Sequence, residues 1–132
     1  DVKKMKRAIK KYRLENLKYY GNVPNEKIFD VLINADIVMI PSLWEELGSI
    51  VLEAGILKKT VVASKVGALS EILADGRGYL AQTGNTDDFY SKLQRAIKDE
   101  EKRGEKLYDY VMKNYSVKKA VKKYMNIYCE NC

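Results

Sequence analysis

The sequence predicts a three-layer α/β domain: a parallel sheet of about four strands, helices on both faces, and further helices extending from its C-terminal end. Three observations carry this. Short β-branched runs such as Ile37-Val38-Met39-Ile40 and Val61-Val62-Ala63 are too brief for helices and too continuously apolar for half-exposed strands. They alternate with segments whose apolar residues recur three and four apart, so successive strands are joined by helical crossovers rather than by hairpins. The chain has 132 residues, 46% hydrophobic and 32% charged, which is the size of one domain with its own core.

Taken in order, Val2, Met5, Ile9 and Tyr12 follow the 3-4-3 spacing of a buried helical stripe. Leu17 to Tyr20 is expected as the first strand, broken by Gly21-Asn22-Val23-Pro24. Pro24 suits the opening turn of the next helix, with Ile28, Phe29, Leu32 and Ile33 facing inward. The run from Ile37 to Ile40 is the most apolar strand; Pro41-Ser42 ends it, and a polar loop leads into a helix starting near Gly48. Val61 to Ala63 is the third strand, a short helix covers Ser70 to Leu73, and Tyr79-Leu80 closes a fourth strand. Thr86 is expected to cap a helix with Asp87 and Asp88 in its first turn and Phe89, Leu93 and Ile97 as its inner stripe. Two more helices follow, the last capped by Ser116 and striped by Val117, Val121, Tyr124 and Tyr128. No repeat or linker divides residues 1–132, so a single domain is expected.

The chain contains no histidine, which removes the commonest general base and the commonest metal ligand. Chemistry must rest on carboxylates, Lys and Arg, hydroxyls or backbone dipoles. No apolar run approaches the ~20 residues of a spanning helix, and no leader pattern opens the sequence. A cytoplasmic location is therefore expected. Cys129 and Cys132 are expected as free thiols, because zinc would need two further ligands and the pair has no activating neighbourhood. Lys and Arg number 24 against 18 Asp and Glu, and residues 1–18 and 113–132 hold 13 of the bases and 3 of the acids. Two readings of these basic ends stand: solvated helix faces, or a surface for anionic partners such as phospholipid headgroups or nucleic acid.

In parallel sheets flanked by helices, ligands sit beyond the carboxyl ends of the strands. That directs attention to the loops after Tyr20, Ile40 and Ser64. The second loop is the most unusual, running Pro41-Ser42-Leu43-Trp44-Glu45-Glu46-Leu47-Gly48-Ser49-Ile50-Val51-Leu52-Glu53. Free N–H groups at Gly48, Ser49 and Ile50 can bind a phosphate at the helix start, where the dipole favours anions. Gly48 admits a ligand close to the backbone. Glu53, one turn on, can accept hydrogen bonds from vicinal hydroxyls, and Glu45 or Glu46 can reach a sugar beside the phosphate. Plainer readings exist: Ser42 ending a strand by a local backbone bond, Trp44 as a packing residue or loop anchor, Glu45 as an acid serving the helix dipole, and Glu53 as a solvated helix residue.

These residues resemble a known family, the retaining nucleotide-sugar-dependent glycosyltransferases of family four, or group 1, and specifically the Rossmann-like C-terminal domain of their GT-B fold. Glu45 and Glu53, with seven residues between them after a Pro-Ser, match the family's paired acids. Gly21-Asn22-Val23-Pro24 resembles its Gly-x-Val-Pro, and Ala35-Asp36-Ile37-Val38 the opening of its next strand. Val61-Val62-Ala63-Ser64 with Val66-Gly67 resembles its strand and Gly loop, Glu71 its following acid, and Tyr115-Ser116 the aromatic-Ser before its last helix. The resemblance implies that Glu53 holds the ribose, that Gly48 to Ile50 hold the distal phosphate, and that Glu45 acts at the transferred sugar. It places Gly21, Asn22 and Val23 against the base. It further implies retention of configuration, no metal or other cofactor, a nucleotide-diphosphate sugar as donor, and a glycan or lipid-linked acceptor.

Departures accompany the match. Lys58-Lys59-Thr60 stands where the family has Gly-x-Pro, Ala68 replaces the second Gly of the loop, and Glu46 and Leu47 replace a glycine and an aromatic. The family's two preceding strands and its acceptor domain are not in the sequence, so the chain is expected to be a fragment without transfer activity alone. Without those strands, either the strands at Leu17 and Ile37 pair directly or another chain, a second copy included, fills the space. The basic ends suit peripheral contact with the inner membrane face, and no specific nucleic acid is expected. Two rival classes remain: a nucleotide-binding or scaffold module without turnover, and a basic nucleic-acid or membrane-surface protein.

Overall fold

A computed structural model describes residues 2–129. The order is α1 (Val2–Lys11), α2 (Asn25–Ile33), β1 (Ile37–Ile40), α3 (Ser49–Ile56), β2 (Thr60–Ser64), α4 (Gly67–Ile72), β3 (Tyr79–Ala81), α5 (Thr86–Ile97), α6 (Arg103–Asn114) and α7 (Val117–Cys129). The sheet is parallel throughout, in the order β1-β2-β3, with Val38 opposite Val61 and Ala63 opposite Leu80.

Side chains alternate across a strand; the central β2 is buried on both faces, whereas β1, expected to be covered on both, leaves Met39 49% exposed on one. Val38, Ile40, Val61 and Ala63 join Val51 and Ala54 of α3, Leu69 and Ile72 of α4, and Leu107 and Val111 of α6 in the main core. Val62 and Tyr79 point the other way and join Ala96, Phe89 and Leu93 of α5. The expected three-layer α/β domain is therefore present, with three strands rather than four.

The missing strand is the one expected at Leu17 to Tyr20. That segment has no regular structure and is exposed along its whole length. Strand propensity is realised only against a partner, and β1, the edge of the sheet, pairs only with β2 among the described residues. Direct pairing of the two segments is thus overturned.

Other corrections have the same origin. α1 and α7 contain no buried residue, so the stripes of Val2 and Tyr12, and of Val117, Val121, Tyr124 and Tyr128, lie open. In α2 only Leu32 is buried, whereas Phe29 and Ile33 are exposed. Ala96 takes the inward position expected of Ile97, which is 63% exposed. The α5 cap is Asn85, whose side chain accepts from the Asp88 N–H at 3.0 Å, one residue ahead of Thr86. The expected Ser116 cap is present, its Oγ accepting from the Lys119 N–H at 3.4 Å. Cys129 is an exposed free cysteine, and Cys132 lies outside the described residues.

Candidate functional site

The site region is the loop between β1 and α3 together with the first turns of α3. β1 ends at Ile40, and residues 41–48 form neither helix nor strand before α3 begins. Gly48 is the N-cap of α3, with φ +65°, and no side chain caps the helix. A left-handed φ at this position favours glycine, and the uncapped start leaves amide donors of the first turn without a side-chain acceptor. Ser49 is exposed while Gly48 and Ile50 are half-buried, so the turn opens to solvent.

Glu45 lies against this turn. A Cβ placed on Gly48 would stand 3.1 Å from Glu45 Cγ, so the carboxylate-bearing side chain packs directly on the glycine. Ser42 Oγ donates to Glu45 Oε2 at 3.5 Å, the long end of a hydrogen bond, rather than to the local backbone. Glu53 lies in the second turn of α3, between the fully buried Val51 and Ala54. Its Oε2 is buried and has no hydrogen-bond partner. Buried carboxylate oxygens are ordinarily satisfied, so an orphan of this kind calls for an explanation. Among the described residues, no three acids or thiols are grouped as metal ligands.

The structure thus brings Glu45, Gly48, Ser49, Ile50 and Glu53 onto one short segment around the helix start. Gly21, Asn22 and Val23 sit elsewhere in the chain path, in the irregular segment before α2. Gly21 has φ +69° and open space where a side chain would be, so the loop has room for a ligand against its backbone.

Trp44 is not the packing residue expected: it is 73% exposed, as is its neighbour Leu43 at 72%. Glu71 serves structure, its backbone carbonyl accepting from Arg77 at 2.6 Å and its Oε1 from the Tyr110 hydroxyl at 3.4 Å. Two features were not singled out from sequence. One is the contact of Gly67, read from sequence only as part of the Gly loop, with the backbone of the acidic loop at Glu45. The other is a largely apolar cavity of about 400 Å³ at the same rim on the α5 side, lined by Met39, Pro41, Leu43, Phe89, Tyr90 and Leu93.

Comparison with known proteins bears on the fold and the family. Residues 1–114 match the family model for glycosyl transferases group 1. The phosphatidylinositol N-acetylglucosaminyltransferase GPI3 subunit of Saccharomyces cerevisiae is 32% identical over 90 residues, covering 67% of this chain and 20% of that protein. Among solved structures, sucrose-phosphate synthase of Thermosynechococcus elongatus superposes with a TM-score of 0.86 at 19% identity, covering 97% of this chain and 33% of the other. The C-terminal domain of a group 1 family glycosyltransferase from Francisella tularensis does so with a TM-score of 0.73 at 29% identity, covering 87% and 62% respectively. The chain spans about a fifth to three-tenths of the length of the curated relatives it matches. With most of its length matched and the paired acids in the expected setting, this chain belongs to the glycosyl transferases group 1 family.

Proposed function

We propose that this chain is the donor-binding part of a retaining glycosyltransferase that moves a sugar from a nucleotide-diphosphate sugar to a glycan or lipid-linked acceptor. The observation that carries the reading is the orphaned Oε2 of Glu53, one turn into a helix whose first turn is uncapped. A ribose diol supplies the donors that the carboxylate lacks, and the diphosphate supplies the acceptor that the amides of Gly48, Ser49 and Ile50 lack. Held this way, the departing diphosphate meets fixed dipoles where its charge develops, which is the largest contribution such a site can make. Glu45, packed on Gly48, faces the transferred sugar, and the Gly21–Val23 backbone takes the base. No step in this scheme calls for histidine, a metal or another cofactor.

The lipid-linked acceptor draws support from the yeast relative, whose name specifies phosphatidylinositol, and from the two basic, unburied terminal helices, which suit an anionic membrane surface. No helix among the described residues is long and apolar enough to cross a membrane. The free edge of β1 is open to pairing with a second copy, and sedimentation equilibrium of the chain distinguishes a monomer from a dimer.

The test is ligand-dependent stability. At least one of UDP, GDP and ADP raises the Tm of the 132-residue chain in a concentration-dependent way, and the effect persists in ~0.5 M salt, roughly three times physiological strength. Binding that disappears with salt identifies a non-specific polyanion surface instead, and no shift with any of the three removes the donor-site reading.

A further inference from the structure

Residues 41–48 lack regular structure, yet they are fastened to the start of α4 by three consecutive residues. A Cβ on Gly67 would fall on the backbone carbonyl of Glu45, so that carbonyl occupies the space any other residue would fill. Ala68 donates its N–H to the Glu46 carbonyl at 3.2 Å. Leu69, fully buried, has its Cδ2 3.2 Å from where a Cβ on Gly48 would stand. Gly67 also has φ +49°, in the left-handed region. Glycine is therefore required at 67 twice over, once by its own backbone and once by a loop some twenty residues earlier in the chain.

We propose that Gly67 is a positioning residue for sugar transfer. Resting on the donor-site reading above, it lets the Glu45 carbonyl dock onto α4 and so sets where the Glu45 carboxylate and the Gly48 amide stand against a bound sugar nucleotide. A side chain at 67 drives the loop off α4, breaks the Ala68–Glu46 bond and moves Glu45. Glu53 stays in place, because Val51 and Ala54 on either side of it are locked in the core. The damage is then selective: the sugar end of the donor loses its partner, and the nucleoside end does not. A glycine serving structure alone lowers stability and weakens both ends alike.

The experiment compares Gly67→Ala with Gly76→Ala, a second left-handed glycine (φ +76°) whose nearest non-neighbouring atom to an added Cβ is Arg103 Nη1 at 3.5 Å. Calorimetric titrations with UDP and UDP-glucose, and with the corresponding GDP and ADP pairs, give a sugar-to-bare-nucleotide affinity ratio for each protein. Gly67→Ala lowers that ratio roughly tenfold or more, the loss expected for one hydrogen bond to a carboxylate, while Gly76→Ala leaves it unchanged whatever it does to Tm. Amide hydrogen exchange supplies a readout without ligand: Ala68 loses protection and the Glu45 to Gly48 amides shift in Gly67→Ala only. An unchanged ratio, or amides indistinguishable from wild type, overturns the proposal. If no nucleotide binds even the wild-type chain, the donor-site reading falls, and unchanged Ala68 protection then disposes of the positioning role separately.

Discussion

Replacing Glu53 by alanine should separate stability from binding, because its buried oxygen has no partner in the free fold and, on the donor-site proposal, gains one from a ligand. The substitution removes a buried, unpartnered carboxylate oxygen, whose desolvation costs about 1–3 kcal/mol. It also strips one methylene from a half-buried side chain, a loss of about 0.4 kcal/mol, and gains a few tenths of a kcal/mol, roughly 0.3, from the better helix former. The net expectation is unchanged stability or a gain of about 1–2 kcal/mol, a rise in Tm of a few degrees, roughly 3–5 °C per kcal/mol at this size. Binding moves the opposite way. Losing two hydrogen bonds between a carboxylate and a diol weakens a nucleoside diphosphate by about a hundredfold or more. At a ligand concentration near 100 times Kd the stabilisation accordingly falls from about 2.7 to about 0.4 kcal/mol. Urea unfolding with and without UDP, GDP and ADP measures both quantities on one preparation. A variant that loses more than about 1 kcal/mol, well beyond the methylene loss, while keeping its nucleotide shift would show that Glu53 is a structural acid and refute the reasoning.

Three further outcomes follow from other parts of the molecule. Gly55→Ala puts a Cβ 2.8 Å from Val111 Cγ2 and 3.0 Å from Leu107 Cγ, so it should destabilise the chain by about 1–3 kcal/mol by overpacking; urea midpoints measure this, and Val111→Ala in the same chain should cost less in the Gly55→Ala background than in wild type. Burial raises the pKa of the Tyr79 phenol, and the Asp99 carboxylate that accepts its proton at 3.0 Å raises it further, against an opposing effect of Arg103. The fold therefore favours the protonated phenol: this stability is fully present below the usual tyrosine pKa near 10 and is lost as pH rises through the higher folded value, so Tyr79→Phe should show a smaller fall between pH 9 and 11 than wild type in urea titrations. Finally, the chain should sediment with anionic phospholipid vesicles and release in high salt, and Lys118→Glu with Lys122→Glu should reduce vesicle affinity roughly thirtyfold or more, at about 1 kcal/mol per lysine lost; equal binding to neutral vesicles would count against the basic helices.

What could be read from sequence was whatever the chain decides locally or by continuous burial. β1, β2 and β3 lie at or beside their expected positions, although only β2 is covered on both faces, since Met39 of β1 is 49% exposed. α5 followed from its stripe at Phe89 and Leu93, α3 was expected to start near Gly48, and α6 was one of the two closing helices. An amphipathic stripe, in contrast, states which face would be covered and not whether anything covers it, which is why α1 and α7 were read as packed and are not. Leu17 to Tyr20 failed for a related reason, since a strand needs a neighbour that no local signal supplies. Within the candidate site, the spacing singled out Glu45 and Glu53, and Gly48 announced the helix start. The orphaned oxygen of Glu53 and the seat that Gly67 provides for Glu45 depend on atoms brought together from distant positions. No spacing rule reaches them.

The notch that Gly55 leaves in α3 carries a mechanical implication. Val111 and Leu107 fill it so closely that α3 cannot slide or roll across α6 without a collision, and both helices are keyed to β2 through the same core. The amides at one end of α3 are therefore cantilevered from a stiff block that includes a helix some fifty residues later in the chain. On the donor-site proposal, a donor arriving or leaving is not accommodated by tilting that block, which leaves the acidic loop behind Pro41 and the segment from α1 to α2 as the parts to adjust.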